Sequence, residues 1–316
     1  MKKLISIIIP SYNEEANLDE LRRRLVATIN EIEDYDFEII IVENGSIDSS
    51  SEKLKNINKE DPRFKIIRLS RNFLPNNAIV AGLNFANGDA AVIIYADLQD
   101  PPEMIPKFID KWEEGYDIVY GVILQREGLP LRRRVLYRLF YILINRLTKK
   151  TIPENASDFR LIDKKVYTIV NEMEERNKFL RGIIPWTGFR QIGIPYERAP
   201  RYAGESKADI YTVLKFAVNG IVSFSYFPLH IATVLGFIVS IVSFIMIIIE
   251  LALVMIYGRV LPGTATTILV MLFSFGLLFS FLGIIGIYIG KIYDEIKKRP
   301  DYIIMDKIGF DDMVYR

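Results

Sequence analysis

The apolar run Ala90-Ala91-Val92-Ile93-Ile94-Tyr95 leads directly into the polar turn Ala96-Asp97-Leu98-Gln99-Asp100. A short apolar run of this kind predicts a buried strand. The carboxylate and amide oxygens that follow it are ligands of the type that hard divalent cations prefer. Because an open α/β sheet binds its ligand at the carboxyl ends of its strands, we expect this turn to line a ligand site.

The same pattern of apolar run and amphipathic helix fills the first 122 residues. Further strands are predicted at 4–9, 37–42, 64–69 and 118–122, and helices near 16–32, 49–58, 76–87 and 103–113. Parallel strands need crossover connections of about this length. The sequence therefore predicts an α/β fold with a Rossmann-like, mostly parallel sheet that is covered by helices on both faces.

Composition excludes several kinds of chemistry. The 316 residues suggest about two domains, and the net charge of +1 averages a mixed-charge segment at 1–227 with an almost uncharged one at 228–290. No nucleic-acid partner is indicated. The chain has no cysteine, and its single histidine, His230, lies at the start of an apolar segment. Cysteine nucleophiles, thiolate metal sites and histidine base chemistry in the first segment are therefore excluded.

The first strand-to-helix turn is Pro10-Ser11-Tyr12-Asn13-Glu14. A dinucleotide-binding domain would carry Gly-x-Gly-x-x-Gly at this place, so that the pyrophosphate can approach the backbone. An aromatic ring beside a carboxylate instead suits stacking on a base and hydrogen bonding to its edge. The alternative is a strand stopped by proline and followed by a capped helix, which explains Pro10 and Asn13 better than Tyr12 and Glu14.

Two long uncharged segments close the sequence. Residues 231–249 and 264–290 are each long enough to cross a hydrocarbon core of about 30 Å as a helix. Basic residues flank the outer ends of this pair, whereas Arg259 alone lies in the connection. The positive-inside rule then predicts a protein of the cell membrane with two spans and both termini in the cytoplasm.

Three further segments suggest contacts with the membrane or with a second subunit. Residues 131–147 have helical periodicity with basic residues opposite an apolar side, which indicates a helix in the membrane interface, or alternatively a helix packed on the sheet. Glycines at 276, 283 and 290 form a narrow face that can seat the first span or another subunit. The tail at 302–305 is predicted to pair as a strand with a neighbouring subunit, giving a homo-oligomer.

Six motifs occur in a fixed order ahead of the two spans. They are Pro10-Ser11-Tyr12-Asn13-Glu14-Glu15, Val42-Glu43-Asn44-Gly45-Ser46, Ser70-Arg71-Asn72-Phe73, Ala96-Asp97-Leu98-Gln99-Asp100-Pro101-Pro102, Ala156-Ser157-Asp158-Phe159-Arg160-Leu161 and Phe179-Leu180-Arg181-Gly182. Together they resemble the family 2 glycosyltransferases of the GT-A fold. Within that family they are most similar to the polyprenyl-phosphate glycosyltransferases, which include the dolichyl-phosphate mannose synthases and the bactoprenol glucosyltransferases. The resemblance covers nearly the whole chain.

The resemblance implies a reaction: inverting transfer of one sugar from a nucleotide-diphosphate sugar to a polyprenyl phosphate at the cytoplasmic membrane face, with Mg²⁺ or Mn²⁺ as cofactor. It favours UDP-glucose as the donor, ahead of GDP-mannose and other UDP-sugars, and a product used for cell-surface glycan or protein glycosylation. The implied roles are nucleotide-sugar binding by Pro10, Tyr12, Glu14, Glu43, Tyr95, Ala96 and Asp97, metal ligation by Asp97 and Gln99, catalysis by Asp97 and Asp158, and binding of the lipid phosphate or the diphosphate by Arg126, Arg134, Arg201 and Lys207.

The resemblance also implies a domain organisation. Residues 1–200 form the cytoplasmic glycosyltransferase domain, including an amphipathic helix at about 130–147. A loop and a juxtamembrane helix follow at 201–227, then a transmembrane hairpin at 228–290 and a cytoplasmic tail at 291–316. Within the loop, the segment 201–207 is predicted to close over phosphates as a lid, with an ordinary polar linker as the alternative.

Two positions depart from the family pattern. The usual Asp-Ala-Asp is Tyr95-Ala96-Asp97 here, and the usual Asp-Asp-Gly-Ser is Glu43-Asn44-Gly45-Ser46. Glu43 keeps a carboxylate one methylene further out. Tyr95 removes an anionic group next to the metal, which we expect to weaken metal affinity or to alter the contact with the ribose.

Physical reasoning qualifies the role of Asp158. A polyprenyl phosphate has a second pKa of about 6 and is already ionised near neutral pH, so its oxygen scarcely needs a general base. We therefore hypothesise that Asp158 positions the acceptor, a sugar hydroxyl or Arg160. In addition, it would stabilise the positive charge that develops on the sugar.

Two other functions compete with single-sugar transfer. A processive polysaccharide synthase shares the GT-A domain, but usually carries a Gln-x-x-Arg-Trp motif and more spans, neither of which this sequence has. A catalytically silent membrane scaffold that keeps the fold is the second alternative. An assay of the purified protein with labelled nucleotide sugars separates these possibilities.

Overall fold

The computed structural model describes residues 2–124, 153, 155–176, 178–200, 202, 227–258 and 264–310. The chain forms two compact units, one of residues 1–217 together with 299–316 and one of residues 218–298. The described elements of the first unit are β1 (Lys3–Ser11), α1 (Leu18–Asn30), β2 (Tyr35–Glu43), α2 (Ser50–Glu60), β3 (Phe64–Leu69), α3 (Pro75–Asn84), β4 (Ala90–Ile93), α4 (Ile105–Glu113), β5 (Ile118–Ile123), β6 (Ala156–Asp163), α5 (Lys164–Glu172), α6 (Leu180–Trp186), β7 (Gln191–Tyr196) and β8 (Ile304–Ile308). The five strands and four helices predicted up to residue 122 are confirmed.

One sheet of eight strands runs through this unit, in the order β7-β5-β6-β4-β1-β2-β3-β8. Neighbours among β1 to β4 pair in parallel, as do β5 and β7, whereas β6 is antiparallel to both β4 and β5. The predicted mostly parallel sheet is confirmed, and the antiparallel insertion of β6 was not predicted. Ile93, the last residue of β4, lies opposite Arg160 in the β4 and β6 register.

Helices cover both faces of the sheet, as predicted. On one face, Ile5, Ile7 and Ile9 of β1 belong to the main apolar core, to which α1 and α4 contribute. On the other face, α3 approaches β1 so closely that a Cβ added to Gly82 would lie 2.4 Å from Cγ2 of Ile8. Glycine therefore permits the close packing of α3 on the sheet.

The tail after the second apolar helix adds β8 to the edge of the sheet, antiparallel to β3. The backbone N–H of Ser70 donates to the carbonyl of Ile303 at 2.9 Å, and Nδ2 of Asn84 donates to the hydroxyl of Tyr302 at 2.8 Å. The predicted strand is present, and its pairing with a neighbouring subunit stays a prediction. The strand finds its hydrogen-bond partners on β3 of its own chain.

The second unit contains α7 (Phe227–Tyr257) and α8 (Thr264–Ile296). Each includes a segment long and apolar enough to cross a membrane, Leu229–Leu253 and Val270–Ile296. The two helices contact each other near Gly236, where an added Cβ would lie 3.6 Å from the ring of Phe281. Added Cβ atoms at the predicted glycine face of 276, 283 and 290 meet no described atom within 4 Å. Seating of the first span on that face is not observed, and a second subunit there stays a prediction.

Several predicted features lie outside the described residues. They are the amphipathic helix at about 130–147, the juxtamembrane helix near 208–224, all of the proposed lid except Tyr202, and the four basic residues Arg126, Arg134, Arg201 and Lys207.

Candidate functional site

The loops after β1 and β2 are hydrogen bonded to each other and form one wall of the candidate site. The backbone N–H of Asn13 donates to Oγ of Ser46 at 3.0 Å, and Oδ1 of Asn13 accepts from the backbone of Ile47 at 2.9 Å. The carbonyl of Ser11 accepts from the backbone of Asn44 at 2.8 Å. Asn13 has a φ of +54°, a conformation that asparagine tolerates better than most residues. These contacts fix both loops before any ligand arrives.

The predicted residues of the first loop occupy this wall. Pro10 is buried at the end of β1, while Tyr12 and Glu14 are half-buried. The carboxylate of Glu14 accepts a hydrogen bond from Nδ2 of Asn17, the residue before α1, and its backbone N–H donates to Oγ of Ser50 at 3.2 Å. Glu14 therefore has a structural role at the start of α1 as well as its predicted role in binding.

Glu43, at the end of β2, is fully buried. One of its carboxylate oxygens accepts from the backbone N–H of Ser46, and the other lies 3.3 Å from Nε of Arg68 on β3. Gly45 follows at a φ of +74°, and a Cβ there would lie 2.4 Å from the backbone carbonyl carbon of Arg71. The Glu43 carboxylate is thus held in place by protein groups, in a loop whose path only glycine permits.

The turn after β4 brings Asp97 and Gln99 together. Leu98 between them has a φ of +57°, and Oδ1 of Asp97 accepts from the backbone N–H of Gln99 at 3.2 Å. Gln99 is anchored from the other side, because its carbonyl accepts from the backbone of Ala199 at 3.1 Å and its Nε2 donates to the carbonyl of Ala199 at 3.4 Å. The amide nitrogen is therefore directed at Ala199, which leaves the amide oxygen as the atom suited to a cation.

Asp100 in the same turn faces the protein instead. It is fully buried, accepts a hydrogen bond from the hydroxyl of Tyr196, and lies 3.4 Å from Nε of Arg198. Burial raises the pKa of Asp100 even though Arg198 and Tyr196 oppose the increase. Because its carboxylate is engaged by Tyr196 and Arg198, Asp100 is not grouped with the two predicted metal ligands, Asp97 and Gln99.

The residues of the turn fit a Mg²⁺ or Mn²⁺ ion that is shared with a ligand. Within the described ranges, no three histidine, aspartate or glutamate side chains converge as a complete protein cage. Mg²⁺ is usually held by one or two carboxylates together with substrate phosphates and water. One carboxylate from Asp97 and one amide oxygen from Gln99 match that incomplete donor set.

Asp158 lies at the start of β6 and is paired with arginine. Nε of Arg181 donates to Oδ1 of Asp158 at 3.0 Å, and Nη2 of Arg181 donates to Oδ2 at 2.6 Å. Nη2 of Arg160 lies 3.7 Å from Oδ1 of the same carboxylate. Burial would raise the pKa of Asp158, but Arg181 and Arg160 outweigh it and hold the pKa below its usual value. An ionised carboxylate engaged in this way is a poor proton acceptor.

Tyr95 replaces the first carboxylate of the usual motif with a neutral group. Burial, followed by the charge of Asp158, raises the pKa of the Tyr95 hydroxyl far above neutrality. The phenol is therefore protonated at any physiological pH. With Tyr95 at this position, the surroundings of Asp97 carry one negative charge fewer than they would with an aspartate.

The structure brings the predicted residues at the ends of β1, β2 and β4, and Asp158 at the start of β6, to one edge of the sheet. These residues are Pro10, Tyr12, Glu14, Glu43, Tyr95, Ala96, Asp97, Gln99 and Asp158. It adds Arg181, which the sequence prediction did not include in the site although the residue lies in one of the six motifs. The motif was the only signal available, because no pattern in the sequence pairs Arg181 with Asp158.

Comparison with known proteins gives matches over most of the chain. The family model described as glycosyl transferase family 2 matches residues 6–169. An uncharacterized glycosyltransferase of Bacillus subtilis is 40 % identical over 307 residues, covering 97 % of this chain and 95 % of the relative. A prophage bactoprenol glucosyl transferase homolog of Escherichia coli is 36 % identical over 300 residues, covering 95 % of this chain and 98 % of the relative.

Among solved structures, the chain is similar to glucosyl-3-phosphoglycerate synthase of Mycobacterium tuberculosis, crystallised with Mn²⁺, UDP-glucose and phosphoglyceric acid. The TM-score is 0.47 at 17 % identity, and the match covers 70 % of this chain and 78 % of the other.

Proposed function

The chain belongs to glycosyl transferase family 2, and from this membership we propose that it transfers one glucose from UDP-glucose to a polyprenyl phosphate. The family and the mostly parallel sheet confirm the predicted GT-A class of fold. One observation carries the proposal: similarity to a relative named for bactoprenol glucosyl transfer extends over 95 % of this chain, far beyond the end of the family model at residue 169. The similarity therefore includes the two apolar helices and not only the sugar-transfer domain.

We place the donor on the wall formed by the loops after β1 and β2. Tyr12 and Glu14 bind the base and ribose beside Pro10, and Glu43 receives the edge of the base. Glu43 is fully buried and its two oxygens are engaged by Ser46 and Arg68, so this role requires its carboxylate to become accessible when the donor binds. The diphosphate then extends towards Asp97, because β1 lies between β2 and β4 in the sheet.

Asp97 and Gln99 are the residues that would hold the divalent cation, with Tyr95 and Ala96 lining the same edge. When bound, Mg²⁺ or Mn²⁺ neutralises the negative charge that builds up on the departing diphosphate. The chain's own contribution is to fix the two oxygen ligands. It does so through the Leu98 turn and through the two hydrogen bonds between Gln99 and Ala199.

The acceptor needs no general base from the protein. A phosphate oxygen attacks the anomeric carbon, a new carbon–oxygen bond forms on one face of the sugar, and the bond to UDP breaks on the other, with inversion. The attacking phosphate is ionised above its second pKa of about 6. Asp158, paired with Arg181 and Arg160, positions these two guanidinium groups. Because the three side chains together carry a net positive charge, the role of Asp158 that we propose is positioning and not direct stabilisation of the positive charge on the sugar.

We further propose that the enzyme acts at the cytoplasmic face of the cell membrane, with α7 and α8 crossing the bilayer. Two spans return the chain to the side from which it left. The pairing of β8 with β3 supports this arrangement, because the tail after the second span belongs to the same sheet as the residues before the first. The basic residues that flank the pair of spans favour the cytoplasm for that side.

Single-cysteine variants test the topology, since the chain has no cysteine of its own. Lys59→Cys and Met305→Cys place a thiol at exposed positions before and after the spans, and Arg259→Cys places one in their connection. In intact cells, a membrane-impermeant thiol reagent is expected to label only the Arg259→Cys variant. Labelling of Met305→Cys but not Lys59→Cys would contradict two crossings.

A transfer assay tests the function itself. Purified full-length protein in detergent is incubated with polyprenyl phosphate, Mn²⁺ and a panel of radiolabelled nucleotide sugars. We expect label to enter the lipid fraction from UDP-glucose in preference to other donors, with one sugar on each lipid. Polymer formation would favour a processive synthase, and a folded protein that labels no lipid from any donor would favour a silent scaffold.

A further inference from the structure

Asp158 is the shared counter-ion of two arginines that come from different elements. Arg181, near the start of α6, makes two hydrogen bonds to the two oxygens of the carboxylate. Arg160, on β6, is only 3 % exposed, and its Nη2 donates to the carbonyl of Ser157 at 2.9 Å. Because a guanidinium removed from water needs an anion nearby, Asp158 balances both cations at once.

We propose that Arg181 is a positioning residue of the transfer reaction: it fixes the orientation of the Asp158 carboxylate and, through it, the guanidinium of Arg160. The inference rests on the proposed glycosyl transfer and assigns a role to a residue outside the donor loops. A bidentate arginine holds both oxygens of a carboxylate in one plane, whereas a single contact leaves the carboxylate free to rotate. The start of α6 is thereby joined to β6, the strand that pairs with β4.

The ion pair between Arg181 and Asp158 also favours the ionised form of the Asp158 carboxyl group. With both oxygens accepting from a cation, the carboxylate stays charged, and the pKa of Asp158 is lowered by Arg181 and Arg160 against the effect of burial. The other charged or titratable groups that face Asp158 from neighbouring elements are Arg198, Tyr95 and Asp100. Without Arg181, we expect the pKa of Asp158 to rise from this lowered value, because only Arg160 and Arg198 then oppose the effect of burial.

The test compares Arg181→Gln and Arg181→Lys with the unmodified full-length enzyme, using UDP-glucose and polyprenyl phosphate. For the unmodified enzyme we expect log(kcat/KM) for the acceptor to fall at acidic pH with a slope of about one, following the acceptor's own ionisation near pH 6. Arg181→Gln is expected to lower kcat by roughly tenfold or more with an unchanged KM for the donor. The same substitution is expected to steepen the fall of log(kcat/KM) at acidic pH towards a slope of about two, because Asp158 then titrates in addition to the acceptor phosphate.

Arg181→Lys separates charge from geometry. Lysine keeps the positive charge but not the bidentate contact, so we expect a slope of about one with a reduced kcat. Arg190→Gln is the matched control, because its exposed guanidinium lies over the ring of Tyr116 at 4.1 Å, and it should change neither kcat nor the slope. The proposal would be overturned if the Arg181→Gln enzyme kept the slope of log(kcat/KM) that the unmodified enzyme shows at acidic pH. A residue with a purely structural role would lower Tm and kcat without altering that slope.

Thermal unfolding makes failure of this inference distinguishable from failure of the proposed function. In a cycle of Arg181→Gln, Asp158→Asn and the double variant, the double variant should lose less in Tm than the two single variants together, because the partners are already separated in each single variant. This measurement needs no substrate. Additive losses would overturn the pairing of Arg181 with Asp158, whereas coupled losses without any labelled lipid would overturn only the proposed glycosyl transfer.

Discussion

Replacing Asp97 with asparagine is expected to lower kcat/KM for sugar transfer by about a thousandfold, which corresponds to about 4 kcal/mol of transition-state stabilisation. Asparagine keeps an oxygen that can accept the hydrogen bond from the backbone of Gln99, so the turn should fold as before. The substitution removes the negative charge that attracts the cation. Calorimetric titration with Mn²⁺ in the presence of UDP should therefore show a large loss of metal affinity with little change in Tm.

Asp100→Asn provides the matched control in the same turn. Asp100 is fully buried against Tyr196 and Arg198. Its replacement leaves the cation of Arg198 without its partner, which lowers stability. We expect the reverse pattern, a reduced Tm with Mn²⁺ binding largely retained. If the Asp97→Asn variant binds Mn²⁺ as tightly as the unmodified protein does, Asp97 is not a metal ligand.

Asp158→Asn is expected to lower turnover by about a hundredfold and the free energy of unfolding by about 3 kcal/mol. Both effects have the same origin, because the substitution leaves the guanidinium groups of Arg160 and Arg181 without their shared anion. Steady-state kinetics and chemical denaturation measure the two effects separately. The affinity for UDP should be unchanged, while the KM for the acceptor should rise.

Asp163→Asn is the control for this substitution on the same strand. Asp163 lies at the opposite end of β6, where its carboxylate caps α5 by accepting from the backbone of Lys165 at 3.0 Å. Asparagine caps helices about as well as aspartate does, so turnover should not change. Normal turnover in Asp158→Asn would contradict a role for Asp158 in the reaction. Lost turnover with unchanged affinities for both substrates would mean that positioning through binding is too weak an explanation.

The parallel part of the sheet could be predicted because its strands are continuous apolar runs. Strand β1 is buried from Ile5 to Ser11, and a strand buried on both faces gives a signal that needs no knowledge of its neighbours. The crossover helices followed from their apolar periodicity. These local patterns were enough to place the loops after β1, β2 and β4 at one edge of the sheet.

Strands β6 and β7 carry weaker local signals than the strands of the first 122 residues. Strand β6 contains Ser157, Asp158 and Arg160, because its first half lines the site, and this polar content hides the strand. Strand β7 contains Gly193 and Pro195, which are typical of loops and are tolerated here at the edge of the sheet. Local patterns do not specify that β6 is inserted between β4 and β5, which is a property of the whole sheet.

The ion pairs of the site depend on that insertion. Asp158 and Arg181 are separated by 23 residues, and their contact exists only because β6 and α6 meet at the edge of the sheet. The buried surroundings of Asp100 likewise depend on Tyr196 and Arg198, which follow almost a hundred residues later. The sequence therefore predicted which residues gather at this edge of the sheet, whereas the pairing between them required the three-dimensional arrangement.

The metal-dependent donor site is tested most directly by anomalous diffraction from crystals of the full-length protein soaked with UDP and Mn²⁺. We expect a manganese peak in contact with the carboxylate of Asp97, the amide oxygen of Gln99 and the diphosphate. Ordered UDP without manganese beside Asp97 and Gln99 would contradict the proposed site.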